Sequence, residues 1–403
     1  MKFHHRAVPI VLAAVMIDSI GFGIVMPVLP KLIVTLAGVT LADAARIGGY
    51  MLVAYAVAQF FAGPILGNLG DSLGRRRVLL FSMLAFAIDY ALMSVAPTIG
   101  WLFLGRIVAG VAGASYGPAN AVLADVTPPE KRGTTFGLMG AAFGTGFILG
   151  PAIGGLLAEF GPRTPFMVAA GLAAANAVWI FFALPETMTV DRRRPFDWRR
   201  AHVFGAFKPL LHAGNAKWLI AAAFLWQFAH MVYPATWAFF GEIALGWTER
   251  QIGWSLTASG VAMVVVQTLV TGRAIKRFGE ARAAVFGMLI GGLAFTGYIF
   301  ARSDIAIYAI IAFSGFQGLA YPSMNALLSR MTDASNQGAL QGGMASLVSV
   351  AQILAPLVLS QSLALGSERG FTGGNFVVAA ALAFTALLIV LTKVVPKVAK
   401  PAA

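Results

Sequence analysis

The sequence predicts an all-α multi-pass membrane protein, with twelve transmembrane helices in two pseudo-symmetric six-helix bundles. Three observations carry that prediction. Apolar residues make up 59% of the chain and charged residues only 11%, against about 25% charged in soluble domains. Apolar stretches recur at a length that spans a bilayer. The second half of the chain repeats the first at a fixed offset. A chain of 403 residues with a mean hydropathy of +0.80 cannot hide its apolar surface in a soluble core, so its solvent is lipid.

A helix crosses the hydrocarbon in about 20 residues. Twelve runs qualify, at approximately 8–33, 46–68, 77–97, 100–124, 133–158, 164–184, 216–241, 250–272, 282–301, 304–330, 338–363 and 374–395. The longest polar stretch, Pro185 to Asn215, is rich in Arg and separates six runs from six. It divides the chain into a first bundle at 1–188, a linker at 189–215 and a second bundle at 216–403. The linker reads either as an amphipathic surface segment or as a tether. A constant shift of 205 pairs Gly67 with Gly272, Gly74 with Gly279, Arg77 with Arg282, Gly110 with Gly315, and Gly113 with Gly318. The same shift pairs Tyr116 with Tyr321, Asn120 with Asn325, Thr127 with Thr332, Gly133 with Gly338, Gly137 with Gly342, and Pro151 with Pro356. Parallel repeats of this kind place a substrate site near the midplane between two halves.

Of the 29 Lys and Arg residues, 22 fall at the termini or in the even-numbered gaps. The positive-inside rule then puts both termini in the cytoplasm. The net charge of +13 is a topology signal with some attraction to anionic lipid, not a nucleic-acid footprint. There are no cysteines, which excludes disulfides and thiolate metal sites. No cleavable signal peptide is evident at the N-terminus. No phosphate-binding Gly loop, HExxH or nucleophile elbow appears, so enzyme chemistry, a metal and a cofactor are not expected.

Only three charges lie well inside the runs: Asp18, Asp89 and Arg106. Asp89 is eight residues before Pro97, and Arg106 six after Gly100. At the helical rise these lie about 12 Å and about 9 Å from the turn between runs 3 and 4. The two therefore sit at similar depth and can pair, directly or through water. Apolar surroundings make a carboxyl hold its proton more tightly, and a nearby guanidinium loosens it. Asp18 or Asp89 is therefore a candidate proton carrier; the alternative is a static ion pair that fixes helix register. In "WQFAHMVYPATW", His230 is the one membrane-embedded histidine, read as a cavity contact ahead of a proton carrier. Asn120, Gln227, Gln267, Gln317 and Asn325 are polar cavity candidates, with interhelical bonding the alternative. Trp226, Tyr233, Phe316 and Tyr321 form a candidate aromatic wall for a planar or cationic compound, with Trp237 placed rather in the lipid belt.

Between runs 2 and 3 lies "GNLGDSLGRRRVLL". Gly67 and Gly74 permit a tight turn and close helix approach. Asp71 is an anion among cations, with Arg75, Arg132 or the helix opening near Gly338 as its expected partner. Asp125 can take another arginine. Such a cluster is a candidate latch on the cytoplasmic side. The second copy carries Lys276 in place of Asp71 and Glu280 in place of Arg75, so the latch is asymmetric. In "GAAFGTGFILGPAIGGLL", Gly140 and Gly144, then Gly146, Gly150 and Gly154, form small-residue ladders, and Pro151 adds a bend. Pro185-Glu186-Thr187 reads as a helix end rather than a site.

These motifs resemble those of the major facilitator superfamily. The loop between runs 2 and 3 resembles its signature. The Gly-Pro run resembles the motif of its antiporter branch, and "LGRIVAGVAGASYGPANAVLADVTPPEKRG" the fourth-helix motif of drug–proton antiporters. With "MIDSIGFGIVMPVLPKL", "IDYALMSVAP" and "QGALQGGMASLVSVAQILAP", the chain resembles the tetracycline-resistance antiporters. The resemblance implies proton-driven export of an amphipathic small molecule by alternating access, from a monomer in the bacterial inner membrane, with protons and lipid as its other partners. An importer or symporter, or an exporter of an endogenous metabolite, is the alternative on the same fold; a non-transporting receptor is a remoter one. The family's helix 9 acid aligns with Gly291 and its helix 8 histidine with Met263. Both groups are missing here, so a Mg-chelated substrate does not carry over.

Overall fold

The computed structural model describes residues 6–113, 116–198, 210, 216–332 and 337–398. Among them there is no strand. Twelve helices are long and apolar enough to cross a membrane: α1 (Ala7–Val25), α2 (Leu41–Leu73), α3 (Arg75–Val95), α4 (Ile99–Val126), α5 (Arg132–Phe160), α6 (Thr164–Ala183), α7 (Lys217–Leu245), α8 (Glu249–Phe278), α9 (Glu280–Phe300), α10 (Asp304–Arg330), α11 (Leu340–Glu368) and α12 (Gly374–Val394).

The first run departs from expectation. It ends at Val25, and a separate short helix, Leu29–Ala37, follows. Pro27 and Pro30 lack the N–H that would carry the ladder through, so the helix stops and restarts. The second run is longer than its apolar part, because polar residues at both ends continue the helix. Gly74 and Gly279, at equivalent positions of the repeat, take φ of 108° and 80°. Each permits the reversal into α3 or α9 that a side chain would strain. The path of α8 loosens into a π-helical segment, Val266–Thr271, and α10 tightens into a 3-10 stretch at Gly315–Leu319.

The chain forms two compact units. Unit 1 comprises Met1–Val39, Ala54–Val203 and Thr248–Thr257; unit 2 comprises Thr40–Val53, Phe204–Trp247 and Ala258–Ala403. The division therefore runs through α2 and through α8.

In unit 1, α5 lies along α1 with backbone nearly touching backbone. A Cβ on Gly146 would stand 2.4 Å from the Met16 carbonyl oxygen, one on Gly150 2.6 Å from that of Ile20, and one on Gly154 2.2 Å from that of Ile24. From the other side, a Cβ on Gly23 would meet Pro151 Cδ at 2.8 Å. This is small-residue packing, which lets two helices gain dispersion contacts without a hydrophobic driving force in lipid. Gly140 and Gly144, expected to belong to the ladder, have nothing within 4 Å. The ladder starts at Gly146.

Unit 2 has an aromatic centre instead. Trp237, Phe240, Phe295, Tyr298 and Phe376 are all buried and meet in edge-to-face, tilted and stacked pairs, with centroids 4.8 to 6.5 Å apart. Trp237 is only 1% exposed, so its expected place in a lipid belt is corrected. It is core, because the rings of Tyr233, Phe240, Trp247, Tyr298 and Phe376 neighbour its indole.

Candidate functional site

Asp89 on α3 and Arg106 on α4 form a direct ion pair, Arg106 Nη2 donating to Asp89 Oδ2 at 2.5 Å. Asp89 has no solvent exposure and Arg106 5%. The sequence leads there by depth: both helices leave one short turn and place the two side chains at matching heights. Gly105 makes the room, since a Cβ there would stand 2.5 Å from Asp89 Oδ1. The pair is not saturated. Asp89 Oδ1 and Arg106 Nε have no hydrogen-bond partner among the described residues. Buried charges left with spare bonding capacity are costly.

Asp18, on α1, is partly buried and is not in contact with Arg106. Tyr55 and Tyr90 each lie within electrostatic reach of Asp18, Asp89 and Arg106. Sequence reading missed both tyrosines. Tyr90 Oη lies 3.2 Å from where a Cβ on Gly21 of α1 would be. Tyr55 lies against Gly110 and Gly113 of α4, and its hydroxyl accepts from Gln59, which also donates to the Gly113 carbonyl. The available signal was Tyr55 and Gln59 at helical spacing in an apolar run. Phe22, Phe147, Phe143 and Tyr116 continue from Tyr55 as a chain of neighbouring rings.

The loop between α2 and α3 closes around Arg75. Its guanidinium contacts Asp71 at 2.6 Å and Asp125 at 3.6 Å. Among the described residues Arg132 does not pair with an acid; it donates to the Ala124 and Thr127 carbonyls and so caps the end of α4. Gly67 has nothing within 4 Å, so close approach there is corrected. Gly74 is where approach is tight, with Glu186 Oε2 2.2 Å from a virtual Cβ. Glu186 was expected only to mark a helix end. Its carboxylate accepts the backbone N–H of Arg75 and of Met188, which satisfies an orphan donor at the start of α3. Asp71 also accepts, through its carbonyl, from the Arg194 N–H, and Asn68 donates to the Asp197 carbonyl. The start of the linker is thus strapped to this loop; 199–209 and 211–215 lie outside the described residues. The described partners of Asp71 all belong to unit 1.

In unit 2, His230 and Tyr233 on α7 meet Gln317 on α10. His230 Nδ1 is 2.9 Å from the Trp226 carbonyl oxygen and Nε2 is 3.1 Å from Gln317 Oε1. Gln317 Nε2 lies 3.3 Å from the Tyr233 hydroxyl. Trp226, expected as cavity wall, is 2% exposed and backs His230, ring centroids 4.2 Å apart. Its ring also fills the space over Gly291, where a Cβ would be 2.5 Å away. Phe316 packs against the Val266, Ala283 and Leu319 core rather than lining a wall. Gln267 sits on the π-helical segment of α8 and is exposed. Asn120, Gln227, Tyr321 and Asn325 are partly buried and are not drawn into the His230 network. Among the described residues no group of three His, Cys, Asp or Glu side chains can hold a metal ion.

The profile of the Major Facilitator Superfamily matches residues 11–244 and 235–403. The chain belongs to the Major Facilitator Superfamily. Within the superfamily it is tetracycline-efflux-like. It is 37% identical over 379 residues to the class C tetracycline resistance protein of Escherichia coli, covering 94% of each chain. It is 27% identical to Multidrug resistance protein 2 of Bacillus subtilis, again with 93% of each covered. The fold matches that of the human organic anion transporter MFSD10, with a TM-score of 0.71 at 22% identity over 96% of this chain and 99% of that one. It also matches the nucleoside transporter NupG, with a TM-score of 0.77 at 13% identity over 99% and 100%. A superfamily member with twelve spans is a multi-pass membrane protein, and these relatives are named as transporters and resistance proteins, not enzymes.

Proposed function

We propose that the chain is a proton-coupled antiporter that exports small amphipathic compounds by alternating access. It works as a monomer in the bacterial inner membrane, both termini cytoplasmic, without a cofactor, and drug resistance is the expected phenotype. The observation that carries this reading is the unsaturated, buried Asp89–Arg106 pair in a chain whose relatives are named for tetracycline and multidrug resistance. Intramembrane acids are functional by default.

Asp18 is the acid that takes and gives up the proton, because it is partly exposed and no cation among the described residues pairs with it. Protonating Asp18 removes a negative charge from the surroundings that Tyr55 and Tyr90 share with the Asp89–Arg106 pair, and deprotonation restores it. Protonation from outside weakens substrate binding and favours the return to the inward-facing state; cytoplasmic deprotonation restores affinity. The Arg75 cluster closes the cytoplasmic side while the cavity faces out.

The test is transport in proteoliposomes with an imposed pH gradient, using tetracycline and a cationic dye as probes. An acidic lumen is expected to drive probe inward, in exchange for protons. Accumulation driven instead by an acidic exterior would show an importer or symporter. If Asp18→Asn and Asp89→Asn both respond to the gradient as the wild type does, the proton-carrier assignment is wrong.

A further inference from the structure

We propose that Lys217 and Trp218 at the start of α7, with Lys393 at the end of α12, form a binding site for the phosphodiester of an anionic phospholipid. This goes beyond the antiport reading above and holds whichever way the carrier runs.

Two cations share one ring. Lys217 Nζ lies 5.6 Å and Lys393 Nζ 5.8 Å from the centroid of the Trp218 ring. The ring attracts both ammonium groups through its quadrupole, but it has no charge with which to neutralise them. Among the described residues neither lysine pairs with an acid. The neighbouring chain has none to offer: no Asp or Glu lies between Asp197 and Glu242, and none follows Glu368. The described acids of unit 2 are engaged or distant. Asp43 and Glu368 hold Arg46, Glu280 holds Arg330, and Asp304 accepts from Trp247. Glu242 lies near the other end of α7. Two like charges are thus brought together with no described carboxylate between them, which is unfavourable until an anion arrives from outside.

The setting selects the anion. Both lysines are exposed and the indole is half-buried, so the ammonium groups are reachable. They stand where α7 begins and α12 ends, hence at a membrane surface, the depth at which Trp is enriched and headgroups lie. Lys393 sits on a π-helical segment, Val390–Val394, a local departure from the α-helix that recurs at functional sites. Further into the membrane on α12, Leu388 and Leu391 are exposed and offer apolar surface to acyl chains. An anionic headgroup here meets two cations while its chains stay in lipid. A soluble phosphate gains the cations alone, and a zwitterionic headgroup brings a cation of its own. Arg277 gives the contrast within unit 2: it lies 5.6 Å from the Phe278 ring centroid, a single cation on its ring.

The test incubates the full-length protein in a non-ionic detergent with phosphatidylglycerol or phosphatidylcholine and reads the retained lipid by native mass spectrometry. Phosphatidylglycerol is expected to be held and phosphatidylcholine released. Lys217→Gln and Lys393→Gln are each expected to weaken phosphatidylglycerol binding about fivefold, the weight of one cation near a membrane surface. The double variant is expected to hold it no better than phosphatidylcholine. Trp218→Leu, which removes the ring both lysines rest on, is expected to weaken it about threefold. Arg277→Gln removes the same charge from the other cation–ring pair and is expected to bind as the wild type does. An excess of inorganic phosphate is expected to leave the lipid in place. Equal retention of the two lipids, binding unchanged in Trp218→Leu or in the double lysine variant, or a loss in Arg277→Gln as large as in Lys393→Gln would each overturn the proposal. Displacement by inorganic phosphate would overturn it as well, by showing a site for soluble anions. Because no transport is measured, these results stand apart from the fate of the antiport reading, which the gradient experiment decides.

Discussion

At a shift of 205 residues, Asp89 of unit 1 corresponds to Ala294 of unit 2, and Arg106 to Ile311. The four side chains are equally buried, at 0%, 2%, 5% and 1% exposed. One architecture therefore accepts either an ion pair or two apolar side chains at the same depth. The repeat needs the volume filled; it does not need the charge. At this depth unit 1 carries the ion pair, while in unit 2 a polar cluster lies elsewhere, at His230, Gln317 and Tyr233.

The loop ends show the opposite pattern. Arg75 and Asp125 open α3 and close α4 in unit 1; their repeat partners are Glu280 and Arg330 in unit 2. Both pairs form, at 3.6 Å and 2.8 Å, with the signs exchanged. Here the ion pair is retained and its polarity is free. Unit 2 has the favourable sense, with Glu at a helix start and Arg at a helix end. Unit 1 has the adverse sense, and Glu186 supplies the missing anion at the start of α3.

The largest effect expected from this comparison is on stability. Asp89→Ala or Arg106→Ile alone leaves one buried charge unpaired and is expected to cost about 3–5 kcal/mol, read as a lowered Tm. The double variant Asp89→Ala/Arg106→Ile installs the residues of unit 2. It is expected to recover the wild-type Tm, because no charge is stranded. A double variant as unstable as the singles would show that the pair itself holds unit 1 together. Next comes the glycine ladder. Gly154→Val drives a side chain into the α1 backbone and is expected to cost at least about 1–3 kcal/mol, whereas Gly144→Ala, with open space around it, leaves Tm unchanged. The smallest effect is at the loop pairs. Arg330 is 72% exposed, so Arg330→Gln is expected to cost at most about 1 kcal/mol. Arg75→Gln, whose side chain is 12% exposed between two acids, should lower Tm more; equal losses would erase the distinction between the units.

Much of this was legible in the sequence. Twelve apolar runs gave twelve helices, and counting residues from the turn at Pro97 placed Asp89 and Arg106 at one depth, as they are found. The missed features depend on rotation about helix axes and on side-chain size. Trp237 reads as an interfacial aromatic until five other rings are seen around it. Gly67 and Gly74 look alike in the motif, yet only Gly74 has Glu186 against it. Gly291 reads as a missing acid, while the structure shows its space taken by Trp226 from another helix. Tyr55 and Tyr90 carried no charge to draw attention, and only packing brings them beside Asp18.

The central claim is that unit 1 couples transport to protons through Asp18. The most direct measurement compares gradient-driven accumulation with gradient-free exchange of the same probe in proteoliposomes of Asp18→Asn. The account predicts that accumulation is lost while exchange persists, because alternating access remains and only the proton step is gone. Accumulation by Asp18→Asn at the wild-type level would contradict it.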